Sequence, residues 1–548
     1  MTWLPRRGER LAPAVSGLLL ALSFPPLHPL VLPFVGLVPF SIWILRLPAD
    51  ARGGRAAGRG GALLGFVYFG LVLHWIFFAL AWFTKLAIVG YLVVLGLAAA
   101  MTTVFARLLH HGVRVVGAPL WIALPVTWTA LEWSGAHLPG TLAFPWLGLG
   151  TSLTAYPELV GVAELFGARG ITFWIALVNA LVGGLVLSLG SRSARRPWTL
   201  IGSIVVAVVG PMAWGVWRSD TLETRPAGRV AVVQLDVPGP GRLDAATRRD
   251  STFVALDRLV AGIRPGSVDL VVLPEGVLDV FARSPRGEPD VSHLQRYSRE
   301  VGAPILFGGL GAAEGTFARP PPSDGDSAVP VVPEVAVTPY NSAFLMEPQG
   351  LTGFQYDKRF LVPMVERVPL WPIRGPDGEG PRGMYGVGEG WPLAEVGDAR
   401  FGVLICYESS YPSAARALRS VGADVLVNIT NDAWYTRTPF LEGTTATWQH
   451  PAHLVMRAIE HRVGVVRAAN GGISFFVDPV GRIHRPMSLF EEGVRIEEVR
   501  TTDLATFYTR YGDLLGNASA IGALILLISA IAVGRRKGPS LDRPRTLV

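Results

Sequence analysis

The amino-acid sequence predicts an α/β domain combined with a multi-span α-helical membrane domain. Half of the 548 residues are hydrophobic and only 17% are charged, a balance too apolar for a soluble chain of this size. Long apolar segments fill residues 1–217 and recur once near the C-terminus. Residues 228–505 differ, because short β-rich runs alternate there with amphipathic, helix-like stretches.

Eight apolar segments are predicted to cross the membrane, seven before the α/β domain and one after it. Several reach the roughly 20 residues that a spanning helix requires. The segments are 11–23, 30–45, 62–83, 87–105, 120–133, 171–189, 200–217 and 518–533. We interpret the first as a span and not as a signal peptide, because it lacks a small-residue cleavage site and further spans follow.

The positions of the arginines predict the orientation of the chain. Five basic stretches occur at the N-terminal tip, in three loops of the first 217 residues and in the C-terminal tail. If each segment crosses once, all five lie on one side, which the positive-inside rule assigns to the cytoplasm. Both termini are then cytoplasmic, and the α/β domain lies in the periplasm of a bacterial inner membrane. The arginines form no basic face, so nucleic-acid binding is not expected.

The predicted domain limits follow from these patterns. They are 1–217 for the membrane domain of seven helices, 218–227 for a linker, 228–505 for the periplasmic domain, 506–534 for a connector with the last membrane helix, and 535–548 for a cytoplasmic tail. Two Gly- and Pro-rich loops, 311–333 and 372–391, are long for a compact domain. We interpret them as mobile lids or as inert surface insertions.

Three strand-like runs of the α/β domain are each followed by a reactive residue. Glu275 follows VDLVVLP, Lys358 follows a turn after YNSAFLME, and Cys406 follows RFGVLI. Cys406 is the only cysteine of the chain, and Lys358 is the only lysine between residues 218 and 516. Each has a structural alternative, as a helix cap, a surface charge or a packing thiol. Because reactive groups of α/β folds gather where strands end, the three together indicate one site.

These residue types match the chemistry of a cysteine nucleophile. The thiolate is the attacking form, Glu275 would accept the thiol proton, and an ammonium group beside the thiol would favour the thiolate and stabilise an oxyanion. A single cysteine excludes an intramolecular disulfide and a cysteine-based zinc or iron–sulfur site. His450 and His453 lie outside a recognisable cysteine-protease pattern, so we expect helix-packing or surface histidines.

The three residues resemble, in type and chain order, the Glu–Lys–Cys triad of the nitrilase (carbon–nitrogen hydrolase) superfamily. Together with the flanking spans, the whole chain resembles the apolipoprotein N-acyltransferase family of bacterial inner membranes. The matching motifs are AFPWLGLG, VVQLDVP, LPEG, YNSAF, YDKRFLVPMVERVPL, GVLICYES, NITNDAWY and RAANGGIS. The resemblance implies a nitrilase-like α-β-β-α sandwich inserted between membrane helices seven and eight.

The resemblance also implies roles for four side chains. Glu275 would be the general base, Lys358 the stabiliser of the oxyanion and Cys406 the nucleophile. Glu366, in LVPMVERVP, matches the second glutamate of the family, which helps to position the lysine and the reacting groups. This chemistry requires no metal ion and no diffusible cofactor.

Further residues concern the positioning of substrate. Tyr407 and Glu408 match a pair that the family needs for activity, and we expect Glu408 to point along the pocket wall. Trp146 is expected at the membrane interface, where it either anchors its loop or lines the lipid entry. Two places depart from the family: GPGRLD, with Leu243, replaces a tryptophan after VVQLDVP, and TRTPFLEGTT replaces a more compact turn after NDAWY.

The function that the resemblance implies is N-acyl transfer in lipoprotein maturation. A fatty acyl chain would move from a phospholipid to a Cys406 thioester, and then to the α-amino group of the N-terminal diacylglyceryl-cysteine of an apolipoprotein, with ping-pong kinetics. The expected partners are these two substrates and the lipid bilayer, and we expect a monomer. The alternatives are a membrane-tethered nitrilase-type amidase or hydrolase, and a non-catalytic scaffold that binds lipidated proteins.

Overall fold

The computed structural model describes residues 11–82, 84–146, 148–189, 196–239, 243–313, 316, 337–367, 385–438 and 441–536. The first part is helical. Its helices are α1 (Leu11–Ala21), α2 (Leu32–Val35), α3 (Val38–Arg46), α4 (Ala51–Val72), α5 (Trp75–Leu80), α6 (Ala87–His110), α7 (Leu120–Ala136), α8 (Ala163–Leu189) and α9 (Arg196–Thr221). Together with the C-terminal helix α16 (Leu514–Arg536), they are termed the membrane region.

Four helical segments of the described chain are long and apolar enough to cross a membrane. They are Ala87–Val116, Ala163–Leu189, Pro197–Thr221 and Leu514–Val533. The other predicted spans coincide with shorter or broken helices, since the second is divided between α2 and α3 and the third between α4 and α5. The apolar helical region is therefore confirmed, whereas the eight crossings and the orientation stay predictions.

The described residues from Arg225 onward form two six-stranded sheets. The strands are β1 (Arg225–Gln234), β2 (Leu270–Val272), β3 (Ile305–Gly311), β4 (Tyr340–Glu347), β5 (Gly350–Asp357), β6 (Leu393–Val396), β7 (Ala399–Ile405), β8 (Val425–Asn431), β9 (Gly464–Asn470), β10 (Phe475–Val477), β11 (Ile483–His484) and β12 (Gly493–Thr501). Sheet A has the order β12-β1-β2-β3-β4-β5, and sheet B has the order β11-β10-β9-β8-β7-β6. Three central strands of each sheet are parallel, namely β1 to β3 and β7 to β9.

The two sheets pack face to face between two layers of helices. Val232 and Val272 of sheet A meet Val403 and Val427 of sheet B in the central core. Alternate side chains of the same strands point outward, because successive residues of a strand face opposite sides. Helices α10 (Ala245–Val260) and α11 (Glu288–Val301) cover sheet A, while α12 (Pro412–Ser420) and α14 (Ala446–His461) cover sheet B. This layering is the α-β-β-α arrangement that was predicted. Two further helices, α13 (Ala433–Thr436) and α15 (Phe507–Tyr511), are short.

The sandwich packs against the membrane region at the C-terminal end of α14. Arg462 Nε lies 2.9 Å from Glu164 Oε2, with both side chains buried. The backbone N–H of Ala168, in α8, donates to Glu460 Oε1 at 2.7 Å. Buried charges of this kind are tolerated only when they are paired. The contacts therefore fix the sandwich on the membrane region, although the predicted domain limits stay predictions.

Most predicted elements of the sandwich occur in the structure, and the missed ones are polar or short. The runs VAVVQ, ILFGG, VLVNIT and VVRAA lie in β1, β3, β8 and β9. Strands β5, β6 and β12 were not predicted, because GLTGFQYD, LAEV and GVRIEEVRT lack a strong apolar run. The loops 311–333 and 372–391 lie mostly outside the described residues, and Leu243 is half-buried just before α10.

Candidate active site

Three strands lead to one cavity, and each is followed by a predicted reactive residue. Glu275 comes three residues after β2, Lys358 directly follows β5, and Cys406 directly follows β7. Sheet A therefore supplies the carboxylate and the ammonium group, and sheet B supplies the thiol. All three side chains line the same cavity, so the structure brings together residues that are far apart in the sequence.

A glycine allows β3 to pass close to the Glu275 turn. A Cβ atom at Gly308 would lie 2.7 Å from the Cα of Glu275 and 2.8 Å from the backbone nitrogen of Gly276. These distances are shorter than van der Waals contact. Gly308 therefore lets the turn lie directly against the neighbouring strand.

A buried ammonium group joins two carboxylates at this site. Lys358 Nζ lies 2.9 Å from Glu366 Oε1 and 3.5 Å from Glu275 Oε1, and its side chain is 1% exposed. The amide of Asn341 donates to Glu275 at 2.7 Å and to Glu366 at 2.8 Å. The backbone N–H of Asn431 donates to the other oxygen of Glu275 at 2.8 Å. The sequence prediction missed Asn341, although YNSAF was one of the motifs.

Burial and local charge determine the protonation of the lysine and the thiol. Burial lowers the pKa of Lys358, but the carboxylates of Glu366 and Glu275 outweigh it and hold this pKa above its ordinary value. Burial raises the pKa of the Cys406 thiol, the charge of Glu275 raises it further, and Lys358 lowers it only in part. The ammonium group thus favours the thiolate, as expected, but burial and the charge of Glu275 outweigh it in the resting site. The thiol is protonated near pH 7 and needs a base at the moment of attack.

Cys406 has an uncommon backbone conformation at the end of β7. Its φ is +51°, in the left-handed region that residues other than glycine seldom adopt. A short 3-10 turn, Cys406–Ser410, begins there. The carbonyl oxygen of Cys406 accepts a hydrogen bond from Asn428 Nδ2 at 3.3 Å and lies 3.0 Å from His450 Nε2. The side chain is partly exposed, toward the cavity.

Glu408 lies behind the cavity wall and not along it, which corrects the prediction. It is fully buried, and its carboxylate accepts four hydrogen bonds. The donors are the backbone N–H groups of Ile405, Arg359 and Phe360, at 2.8, 2.8 and 3.2 Å, and the hydroxyl of Tyr356, at 2.8 Å. Burial raises the pKa of Glu408, and the hydrogen bonds from the backbone oppose this effect. Glu408 thus ties the Lys358 segment to the strand end that carries Cys406.

Trp146 and Tyr407 bring the membrane region into contact with the site. Trp146 is 3% exposed, and its indole N–H donates to Gln449 Oε1 at 3.0 Å. Its ring centroid lies 6.1 Å from that of Tyr407, with an interplanar angle of 18°. The Tyr407 hydroxyl donates to the carbonyl of Ala143 at 3.2 Å. Both aromatic residues line the cavity, so Trp146 belongs to its wall.

His450 and His453, both in α14, are buried, so neither is a surface residue. Nδ1 of His450 lies 2.7 Å from the hydroxyl of Tyr435, and its other ring nitrogen reaches Cys406, a contact that the sequence did not predict. Burial lowers the pKa of His450 and that of His453, so both rings are neutral near pH 7. Among the described residues, no group of three or more His, Cys, Asp or Glu side chains is arranged to hold a metal ion.

A large cavity connects the reactive residues with the membrane region. Its volume is about 1210 Å³, which exceeds that of an ordinary small-molecule site. Helix α6 contributes one apolar stripe whose members lie four residues apart, namely Val89, Val93, Leu97 and Met101. Three of them, Val89, Val93 and Leu97, are also exposed, so the cavity opens along α6. Its size and lining suit an acyl chain better than a small polar amide.

Comparisons with known proteins agree with both parts of the fold. The model of the apolipoprotein N-acyltransferase N-terminal domain matches residues 16–181, and that of the carbon–nitrogen hydrolase domain matches residues 229–508. An apolipoprotein N-acyltransferase of Azotobacter vinelandii is 30% identical over 100% of both chains, and one of Geobacter metallireducens is 29% identical over 97% of this chain and 96% of the relative. The crystal structure of an amidase from Nesterenkonia sp. has 19% identity and a TM-score of 0.34, with 52% of this chain and 93% of that chain covered. Because the matches to the named relatives run through the membrane region and the sandwich alike, the chain belongs to the apolipoprotein N-acyltransferase family.

Proposed function

We propose that the protein transfers a fatty acyl chain from a phospholipid to the α-amino group of the N-terminal diacylglyceryl-cysteine of apolipoproteins, through a thioester on Cys406. The cavity is the observation that carries this proposal, because it joins the thiol and its base to an apolar wall of membrane helices. Both substrates are lipids whose chains are costly to expose to water. Such a wall lets an acyl chain reach the thiol without leaving an apolar environment.

In the first half-reaction the sulfur of Cys406 attacks the carbonyl carbon of a phospholipid acyl ester. The thiol proton passes to Glu275 as the carbon–sulfur bond forms, because the buried thiol is protonated at rest. Lys358 and neighbouring backbone N–H groups stabilise the oxyanion. On collapse the ester C–O bond breaks, the departing lysophospholipid oxygen takes the proton from Glu275, and the acyl-thioester remains.

In the second half-reaction the neutral α-amino group of the apolipoprotein attacks the thioester. The pKa of such a group is about 7.7–8.0 when unperturbed, so a sizeable fraction is neutral. Glu275 accepts the proton that the nitrogen loses, and Lys358 again stabilises the oxyanion. On collapse the C–S bond breaks and the sulfur of Cys406 recovers the proton, so the amide is released and the enzyme is regenerated. Ping-pong kinetics follow.

Neighbouring side chains support these steps without taking part in bond changes. Glu366 holds the ammonium group of Lys358 at 2.9 Å, which keeps it beside the reacting carbonyl. Tyr407 and Trp146 form the wall between the thiol and the membrane helices. We propose that the chain works as a monomer, with the sandwich in the periplasm and both termini in the cytoplasm.

The decisive experiment is intact mass spectrometry of the purified protein with phosphatidylethanolamine in detergent. The wild type should gain one fatty-acyl mass, and Cys406→Ala should gain none. Adding a diacylglyceryl-cysteine lipopeptide should discharge the adduct and yield N-acylated lipopeptide, whereas the same peptide with a blocked α-amino group should not. An adduct on the variant, or none on the wild type, would contradict the proposal. Discharge by water as fast as by the amine would favour the hydrolase.

The orientation has a separate test that uses the single cysteine of the chain. Val254 is exposed on α10, so Val254→Cys in a Cys406→Ala background presents one reactive thiol on the sandwich. A membrane-impermeant maleimide should label it in cells whose outer membrane alone has been permeabilised. Labelling that appears only after the inner membrane is broken would reverse the proposed orientation.

A further inference from the structure

The backbone carbonyl of Cys406 is held by two buried side chains that lie outside the predicted triad. His450 Nε2 lies 3.0 Å from the carbonyl oxygen, and Asn428 Nδ2 donates to it at 3.3 Å. Both side chains are fully buried. The left-handed conformation of Cys406, at φ +51°, is unfavourable for a residue with a side chain and persists only where its surroundings impose it.

The hydrogen bonds around His450 assign its tautomer. A carbonyl oxygen only accepts, so Nε2 carries the proton that points to Cys406. Nδ1 is then an acceptor, to which the hydroxyl of Tyr435, 2.7 Å away, and Arg467 Nη2, 3.2 Å away, donate. The carboxylate of Asp432, 3.3 Å from the same nitrogen, accepts from Arg467 instead. Burial lowers the pKa of His450, and the charge of Arg467 lowers it further. The ring is therefore a neutral donor toward the nucleophile and not a proton acceptor from it.

Arg467 orients the second donor and closes the network. It donates to Asn428 Oδ1 and to Asp432 Oδ2, so the NH₂ group of Asn428 is turned toward the end of β7, where it donates to the carbonyl of Leu404 at 2.9 Å as well as to that of Cys406. Asp432 also accepts from Thr430 Oγ1 at 2.8 Å. We term Asn428, Asp432, His450 and Arg467 the carbonyl cradle. All four are buried away from solvent. The ring of His450 also reaches the cavity wall, but its Nε2 is directed at the Cys406 carbonyl, so the cradle is placed to hold the backbone.

The cradle is also connected to the membrane region through α14. Gln449, which precedes His450, accepts from the indole of Trp146 at 3.0 Å and donates to the carbonyl of Val72 at 3.2 Å. The ring of Trp146 lies 5.2 Å from that of His450. The helix turn that holds the nucleophile is thus anchored on α4 and on the Trp146 loop.

We propose that His450, assisted by Asn428, is a positioning residue for acyl transfer, which keeps Cys406 in the left-handed conformation that presents its thiol beside Glu275 and Lys358. This inference rests on the proposed function, because it takes Cys406 as the nucleophile. According to this inference, the backbone conformation of Cys406 is set by residues of β8 and α14 that exchange no proton with the substrate.

Glutamine and asparagine at position 450 provide the test. The amide nitrogen of glutamine reaches the place of Nε2, whereas that of asparagine reaches only the place of Nδ1. Formation of the acyl-thioester, followed by intact mass in a single turnover, should slow less than about tenfold in His450→Gln and about 100-fold in His450→Asn. His453→Gln and His453→Asn are the matched controls, because His453 is also buried in α14 but is not bonded to Cys406. They should show no preference for glutamine.

The outcomes separate this inference from the proposed function. Equal losses in the two His450 variants, or no loss in either, would overturn the positioning role, whereas a wild type that forms no adduct would overturn the proposed function instead. If the His450 variants do not fold, Asn428→Asp takes their place, because it keeps the contact with Arg467 and loses the donor to the carbonyls of Leu404 and Cys406. It should form the adduct about tenfold more slowly, and an unchanged rate would then overturn the inference.

Discussion

Cys406 lies between two buried charge clusters that differ in net charge and in access to the cavity. The cavity cluster consists of Glu275, Lys358 and Glu366, which form salt bridges and line the cavity. It contains two carboxylates and one cation. The carbonyl cradle instead pairs one cation, Arg467, with one carboxylate, Asp432, and both are sealed from solvent.

The difference in charge suits the two clusters to different tasks: the cavity cluster accepts a proton, and the carbonyl cradle holds the backbone of Cys406 in place. In the cavity cluster the second carboxylate leaves negative charge uncompensated, and the charge of Glu275 adds to burial in raising the pKa of the Cys406 thiol. In the cradle, burial would raise the pKa of Asp432, but the charge of Arg467 outweighs it and holds this pKa well below its usual range. The first cluster is suited to accept a proton, whereas the second stays ionised and sealed from solvent.

Removing the cation of the cavity cluster should have the largest effect on rate. Lys358→Met takes away the ammonium group that stabilises the oxyanion, so thioester formation should slow about 1,000-fold or more in single-turnover intact-mass measurements. Arg359→Met is the matched control, because it removes the adjacent cation, which stacks on Trp391 at 4.6 Å outside the cluster. It should change the rate less than about threefold. Similar losses in both variants would show a general charge effect.

Removing the cation of the cradle should lower stability instead. Arg467→Met leaves Asp432 buried and unpaired, which should reduce the free energy of unfolding by about 3–5 kcal/mol. The double variant Arg467→Met, Asp432→Asn removes both charges and should regain more than half of the loss. Denaturant unfolding in detergent measures both. A loss below about 1 kcal/mol in Arg467→Met would contradict the role of Arg467 as the counter-charge of the cradle.

Exchanging the carboxylate that accepts the thiol proton should have an intermediate effect. Glu275→Gln should slow thioester formation about 100-fold, and it should change how alkylation of Cys406 by iodoacetamide depends on pH. In the wild type the thiol proton moves to Glu275 within the site, so alkylation should depend less steeply on pH than in the variant. In the variant the proton must leave a thiol whose pKa burial raises, so alkylation should rise about tenfold per pH unit. If alkylation of the wild-type protein rose with pH as steeply as that of the variant, Glu275 would not be the base.

The cavity cluster could be predicted from the sequence because two of the site residues, a lysine and a cysteine, belong to types that are rare in this chain. A lone cysteine and a lone lysine of the α/β domain each follow a strand, and both strand ends meet at the cavity. Glu366 was predicted only because its motif, LVPMVERVP, resembles that of the family. The role of Asn341 was not predicted, because nothing in the sequence shows which residues an asparagine of a strand contacts until the neighbouring strands are known.

The cradle could not be predicted, because its members are common residue types whose contacts depend on packing. His450 reaches Cys406 only because α14 covers the end of β7, and the spacing of 44 residues between them indicates nothing by itself. The same limit applies to β12, a charged edge strand that is recognisable only through its pairing with β1. Breaks in the apolar segments likewise left the number of membrane crossings open.

The smallest effect is expected where the cradle meets the membrane region. Trp146→Phe keeps an aromatic ring near His450 but removes the indole N–H, leaving the buried Gln449 oxygen without its donor. This should lower the free energy of unfolding by about 1 kcal/mol and slow thioester formation no more than about threefold. Trp133→Phe is the matched control, because it removes an exposed indole bond of 2.9 Å to Asn517, which joins α7 to α16. A large loss of rate in Trp146→Phe at unchanged stability would instead show that the indole contacts the reacting lipid. Trp146 would then belong with the cavity cluster and not with the supports of the cradle.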